Sequence, residues 1–356
     1  MEGRKTDMRQ RRSTATGEIP KRMVKPQALD ARSGDLLCGV VLAGGEGRRL
    51  RPFIHLLRKD LLPKQYVNFI GSRSMLEHTV DRAEKLIPSE RLFTVINQAH
   101  LSFPKVRQQL SKRRRGTVVA EPENKGKGLG LLLSLARLSR QCPNASVVVF
   151  PSDHFVLEEE KLMRHVHLAH LLVKQDPSRL VLLGIPPEQD DSGYSYILPE
   201  KILNRATGLF RVSGFAQKPD AKKARDLILS GALWNTAVMV FRTDTVLRMV
   251  REVAPAFYFA FQRIYAAIGT RAEEKIVREM YHQMNAVNFS RELIEPYLRS
   301  HPSNLLAMPV RGVLWSDWRT EIRVMEVLRR TGYATRLNWL SLASPEPSTV
   351  EIRAAP

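Results

Sequence analysis

Five short stretches hold side chains suited to binding and transferring charged groups, and most of them lie at the end of a run that reads as a β-strand. In VVLAGGEGRRLRP (40–52), four apolar residues lead into Gly44, Gly45 and Gly47 and then into Arg48, Arg49 and Arg51. Glycines let backbone N–H groups approach an anion, and the arginines can neutralise several phosphate oxygens at once. The spacing fits neither the dinucleotide fingerprint nor the P-loop, so a plain glycine turn and a phosphate loop stand side by side as readings. LLPKQ (61–65) contributes Lys64, a surface lysine unless the glycine turn lies beside it. FPSDHFV (150–156) places Asp153 and His154 after an apolar run, where the carboxylate either begins a turn or takes one position on Mg²⁺.

The fourth group is GYSYI (193–197), FAQKP (215–219) and LWNTAVMV (233–240), with Gly193, Lys218 and Asn235. A cation and an amide suit a phosphorylated polyol; they equally suit turn and core roles. In VLWSDWRT (313–320), Asp317 is either the N-cap of the following helix or the partner of Asp153 in a two-carboxylate magnesium site. The histidines of RHVHLAH, two and three residues apart, do not share a helix face as metal ligands would.

Positioning these residues takes alternating strands and helices. CGVVLAG (38–44), LFTVIN (92–97), TVVA (117–120), SVVVF (146–150) and RLVLLGI (179–185) read as strands, separated by helical patterns over 74–87, 130–140 and 158–175. That alternation predicts βαβ units and a largely parallel sheet, whose ligands bind beyond the carboxyl ends of its strands. From 186 onward the pattern is mixed. Strands are expected at 194–198, 209–218, 236–241 and 304–310, with helices at 221–231, 243–253, 256–268, 271–284 and 320–330. The expected fold is α/β, a Rossmann-like mixed but mostly parallel sheet flanked by helices, with a smaller mixed lobe. Residues 36–340 form the folded unit, divided near 185. Residues 1–35, polar and basic, read as a disordered arm, and 341–356 as a frayed tail.

Composition narrows the partners. The 56 Lys and Arg against 36 Asp and Glu give a net charge of +20, which favours anionic ligands. No apolar run reaches the ~20 residues of a membrane span, and no export segment follows Arg11 and Arg12, so a cytoplasmic protein without a membrane partner is expected. Cys38 and Cys142 match neither a zinc nor a redox pattern and read as core thiols. Nucleic acid is not an expected partner, because no recognition motif accompanies the basic arm.

The order of these stretches resembles the sugar-phosphate nucleotidyltransferases, most closely the mannose-1-phosphate guanylyltransferase-like branch. LAGGEGRRLRP stands where that family has LAGGxGTRLxP, and PKQ, AEPEN, PSDH, FAQKP, LWNT and WSDW follow in family order over about residues 36–330. The resemblance implies the nucleotide-diphospho-sugar transferase type of sheet and assigns Gly44, Gly45, Gly47 and Arg49 to the nucleotide phosphates and Lys64 to the triphosphate. It sets Glu123 and Asn124 near the base or ribose, Asp153 and Asp317 on Mg²⁺, Lys218 on the sugar phosphate, and Gly193 and Asn235 near the sugar. Arg49, Lys64 and Asp153 are the implied catalytic set.

The implied reaction joins a nucleoside triphosphate, GTP in particular, to a sugar 1-phosphate such as mannose 1-phosphate, giving GDP-mannose and pyrophosphate. Self-association as a homodimer is left open. Departures from the family pattern are Arg48 for a small hydroxyl residue, Gln217 for a carboxylate before Lys218, KGKG (125–128) for RNTA, and Arg319 for glycine after WSDW. Arg319 is expected to crowd or partly neutralise Asp317. The alternative function is therefore a catalytically weakened relative that binds nucleotide or nucleotide-sugar as a regulatory or assembly partner.

Overall fold

The computed structural model describes residues 36–333. The arm at 1–35 and the tail at 341–356 lie outside the described residues, as do 334–340.

The first half builds four parallel strands with helices between them. β1 (Leu37–Ala43) ends in the glycine turn, from which α1 (Arg51–Arg58) departs with Pro52 in its first turn. α2 (Met75–Glu84) opens with a capping box, Ser74 and Glu77 each bonding the other's backbone N–H. β2 (Leu92–Asn97), α3 (Pro104–Leu110), β3 (Val118–Glu121), α4 (Lys127–Gln141) and β4 (Ser146–Pro151) follow. β1, β2 and β4 are almost continuously apolar because helices cover both sheet faces. α4 begins earlier than the sequence pattern suggests. Gly126, in the left-handed region at φ 90°, and Gly128 let the segment around Val287 pack directly against its first turn.

β5 (Phe155–Val156), α5 (Glu159–Gln175) and β6 (Leu180–Ile185) lead to the mixed half. There β7 (Ser195–Asn204) and β8 (Leu209–Gln217) form a hairpin, followed by α6 (Ala221–Leu229) and β9 (Leu233–Arg242). α7 (Thr243–Val253), α8 (Pro255–Ala267), α9 (Glu273–Gln283), a wide helical turn at Phe289–Ile294 and α10 (Glu295–Ser300) precede β10 (Leu305–Pro309). β11 (Trp315–Ser316) and α11 (Glu321–Arg330) close the described chain.

Nine strands form one sheet in the order β3-β2-β1-β4-β9-β6-β10-β8-β7. The antiparallel β9 sits between β4 and β6, pairing Val148 with Val240 on one side and Val181 with Val240 on the other. The sequence pattern starts this strand at Thr236; it begins at Leu233, because Thr236 and Ala237 form a bulge in the register with β6. Asn235 is therefore a strand residue beside Gly184, at the carboxyl end of β6.

Two apolar cores lie on the two faces of the sheet. On β1, Leu37, Val41 and Ala43 join one, and Cys38 and Val40 the other. Cys38 and Cys142 are both free and buried in the second core, where the Cys38 thiol is pushed up by its hydrogen bond to Cys142 and by burial. Among the described residues no helix is long and apolar enough to cross a membrane.

A second, two-stranded sheet decides the position of the acidic residues. β5 and β11 pair antiparallel, Trp315 with Val156 and Ser316 with Phe155. Asp317 directly follows β11 and Asp153 lies two residues before β5, so this pairing draws together the loops that carry the two aspartates, although they are far apart in the chain.

Candidate active site

The carboxyl ends of β1, β3 and β4 and the start of β9 open onto two joined clefts. The first, of about 480 Å³, is lined by Gly44, Gly45, Gly47, Arg49, Lys64, Asn124 and Asp153, among others. The second, of about 740 Å³, is lined by Gly193, Lys218 and Asn235. Asp317 belongs to both walls.

The glycine turn is held by side-chain amides. Gln65 Nε2 donates to the carbonyls of Ala43 and Gly45, each at 2.7 Å. Asn124 Nδ2 donates to the Gly44 carbonyl at 3.2 Å, while its Oδ1 accepts from Gly126 N at 3.1 Å. With these carbonyls occupied, the turn cannot collapse on itself. Gly47 is left-handed at φ 59°, and a Cβ there would press on the Lys64 stem. Arg48 and Arg51 both bind Glu46, at 2.7 and 3.1 Å, whereas the Arg49 guanidinium has no partner among the described residues. Glu123 does not line either cleft; its side chain is 54% exposed and faces Lys125 at 3.6 Å.

Lys64 is buried, and its ammonium does not extend freely into the cleft as a triphosphate ligand would. Nζ lies 2.9 Å from Asp153 Oδ2 and donates to the carbonyls of Asp317 and Trp318 at 3.2 and 3.1 Å. One ammonium thus ties the loop after β4 to the loop after β11. Burial alone would raise the Asp153 pKa; Lys64 chiefly, with His154 and Lys127, holds the carboxyl well below the usual carboxylate range. Its neighbour His154 is neutral. Burial pushes its pKa down to about 4, and Trp315 Nε1 donates to Nδ1 at 3.3 Å, which leaves the proton on Nε2, 3.8 Å from Asp153 Oδ1.

Asp317 has a different partner from the one expected. Its Oδ1 accepts from Arg323 Nη1 at 2.7 Å and from the backbone N–H of Arg319 at 3.2 Å, and the Arg319 side chain makes no ion pair with it. Arg323 also holds Asp191 Oδ1 at 2.7 Å and lies 3.6 Å above the Tyr194 ring. Gly193 accommodates this arginine, since a Cβ at that position would stand 2.5 Å from Arg323 Nη2. Arg323 therefore links the acidic loop to the Gly193 loop.

Three non-glycine residues around the second cleft are left-handed: Lys218 at φ 45°, Ala237 in the β9 bulge at 54° and Trp318 at 42°. Such conformations cost roughly 1–2 kcal/mol each and persist only where surrounding contacts hold them. Lys218 N donates to the Tyr194 carbonyl at 3.2 Å, and Ala237 N to Asn235 Oδ1 at 2.8 Å. The Trp318 ring stacks on Phe155 at 5.3 Å and meets Phe69 edge-on at 5.2 Å. Gln217, the replacement for a carboxylate, accepts from Ser195 Oγ at 2.6 Å.

Glu121 is a further feature of the first cleft without an assignment from the sequence. The carboxyl sits under Gly44, where any Cβ would collide with it. Burial pushes its pKa up to about 8 against a 3.3 Å hydrogen bond donated by Tyr281. Gln65, His154 and Arg323 also have no role in the sequence reading. The signal for Gln65 is adjacent, in PKQ; Arg323 lies inside a helical pattern that carries no such cue.

Asp153 and Asp317 fit a hard divalent cation. Each is a hard oxygen donor with one oxygen committed to a cation, Oδ2 of Asp153 to Lys64 and Oδ1 of Asp317 to Arg323, which leaves one each for a metal that keeps waters and phosphate oxygens as its other ligands.

The nucleotidyl transferase family profile matches residues 38–317. A mannose-1-phosphate guanylyltransferase of Salmonella montevideo is 30% identical over 230 residues, covering 63% of this chain and 47% of that protein. The alginate biosynthesis protein AlgA of Pseudomonas syringae pv. tomato is 28% identical over 222 residues, covering 62% and 44%. The chain spans about half the length of the curated relatives it matches. A solved structure from Thermus thermophilus, described as a mannose-1-phosphate geranyltransferase, aligns with a TM-score of 0.67 and 25% identity over 81% of this chain and 79% of that one. One from Helicobacter pylori, described as a mannose-6-phosphate isomerase, shares the fold at a TM-score of 0.59 and 17% identity, covering 79% and 99%.

Proposed function

Because this chain belongs to the nucleotidyl transferase family, we propose that it transfers a nucleotidyl group from a nucleoside triphosphate to a sugar 1-phosphate, with GTP and mannose 1-phosphate as substrates and GDP-mannose as product. A phosphate oxygen of the sugar 1-phosphate attacks the α-phosphorus. The new P–O bond forms as the bond to the β-phosphate oxygen breaks, and pyrophosphate leaves with that electron pair. No protein nucleophile is needed, so positioning and positive charge carry the catalysis.

The observation that carries this reading is the β5–β11 ladder, which gathers Asp153 and Asp317 where a glycine turn meets Lys218. Gly44, Gly45, Gly47 and Arg49 receive the triphosphate, and Asn124 borders the nucleoside. Lys218 receives the sugar phosphate, with Asn235 and Gly193 beside the sugar. Lys64 keeps Asp153 ionised and oriented. Asp153 and Asp317 are the residues that would hold Mg²⁺, which when bound supplies positive charge to the phosphates. The guanylyl and mannosyl preferences rest on the descriptions of the relatives.

The test is a matrix of nucleoside triphosphates against sugar 1-phosphates with Mg²⁺, read by pyrophosphate release. GTP with mannose 1-phosphate is expected to give the highest kcat/KM. A different best pair would correct the specificity. Nucleotide binding without release for any pair would replace transfer by the ligand-binding alternative.

A further inference from the structure

We propose that Arg319 is a catalytic residue whose guanidinium bridges the phosphate of the sugar 1-phosphate and the α-phosphate of the nucleotide. This deepens the transfer reading and rests on it.

Arg319 lines both clefts, a property shared by few residues, Lys127, His154 and Asp317 among them. It is half-buried, yet its guanidinium makes no hydrogen bond or ion pair among the described residues. Apart from Arg49, the other arginines near the site are committed: Arg48 and Arg51 to Glu46, and Arg323 to Asp191 and Asp317. Since Arg323 already occupies Asp317 Oδ1, the Arg319 guanidinium makes no ion pair with that carboxylate.

Arg49 and Lys218 likewise make no side-chain ion pair among the described residues, although Asp317 and Asp153 also act on Arg319 through space. The positive fields of Arg319 and Arg49 reach Lys218 and press its pKa down. Like charges gathered in a half-buried cleft repel one another in the free protein, and a bound polyanion relieves that repulsion. The backbone cannot easily move the arginine away. Trp318 is left-handed with its ring wedged against Phe155 and Phe69, and Arg319 N is bonded to Asp317.

The position matches a specific need of the reaction. A sugar phosphate and a triphosphate, both anionic, must approach until one oxygen reaches phosphorus. Arg49 lies on the glycine-turn side and Lys218 on the other, while Arg319 stands on the shared wall. A planar guanidinium offers donors on two edges, so it can hold one oxygen of each phosphate where a lysine offers a point charge.

The experiment uses the full chain with Arg319→Ala, Arg319→Gly and Arg319→Lys, measuring pyrophosphate release, thermal melting, and calorimetric binding of GDP-mannose, which carries both phosphates. For Arg319→Ala, kcat is expected to fall on the order of 10²-fold, with KM changes smaller than the kcat change. Arg319→Lys should recover part of the loss, and melting should be unchanged because no internal bond is removed. Equal or higher kcat in Arg319→Ala or Arg319→Gly would show that the side chain only crowds the site and would overturn the proposal. So would a melting loss that accounts for the kcat loss. If the wild-type chain releases no pyrophosphate with any pair, the transfer reading fails by itself. The phosphate contact is then upheld by at least about tenfold weaker GDP-mannose binding in Arg319→Ala, and rejected by equal binding.

Discussion

On the glycine-turn side of the cleft the backbone bends at Gly47, and the turn's carbonyls are held by the amides of Gln65 and Asn124. On the Lys218 side the bends fall at Lys218, Ala237 and Trp318, which have side chains and are held left-handed by neighbouring strands and buried rings. The first side gets its shape from residue types that adopt it without strain; the second imposes its shape on residues that resist it. The first is therefore suited to a constant ligand element such as a triphosphate. The second can place a chosen side chain at an unusual angle, which suits the more variable sugar.

The largest expected effect breaks both sides at once. Asp153→Asn removes the charge that Lys64 orients and is expected to lower kcat on the order of 10³-fold while the chain still melts cooperatively. Unchanged turnover would remove Asp153 from the centre. Next, Lys218→Ala should raise the KM for sugar 1-phosphate about 10- to 100-fold, as loss of a charge-assisted contact does, and leave the KM for triphosphate nearly constant. Equal shifts in both would mean that the two sides act as one site. Gln65→Ala is the reciprocal test. It removes the amide that donates to the Ala43 and Gly45 carbonyls, so stability should fall by about 1–3 kcal/mol and the KM for triphosphate should rise, with the KM for sugar phosphate following less.

The smallest effect concerns pH. Between the ordinary Glu value near ~4.3 and its folded value of about 8, Glu121 holds a proton in the native state that the unfolded chain has released. Its contribution is full at low pH and is lost as pH rises through about 8. Glu121→Gln should therefore melt closer to the wild type at pH 5 and gain a few degrees on it by pH 8.5. Parallel melting profiles would show that burial does not perturb Glu121.

Much of the glycine-turn side is legible in the sequence, because Gly44, Gly45, Gly47, Lys64 and Asn124 lie in compact motifs after strong strand patterns. Lys218, Asn235 and Asp317 can also be located there, but their setting cannot. In the sequence Asn235 follows a tryptophan ahead of an apparent strand, whereas it lies within β9, whose bulge and central antiparallel place come from pairing with β4 and β6. The motif order assigns Lys64 to the triphosphate, yet it is anchored on Asp153, and Glu123 lies outside the clefts although its neighbour Asn124 lines one. Arg319 is expected from its position to crowd or partly neutralise Asp317; the two charges do act on each other through space, but the ion pair to Asp317 comes from Arg323 in the first turn of α11.

By itself the sequence determined the alternation of strands and helices and the residue types at the strand ends, since hydrophobic period and glycine placement are local properties. Tertiary structure alone decided which of those ends meet. β5 and β11 are two residues each, too short for any periodic signal, and they become a ladder only where the folded sheet brings them together. The partnerships of Asp153 with Lys64 and of Asp317 with Arg323, and the uncommitted charge of Arg319, follow from that long-range pairing.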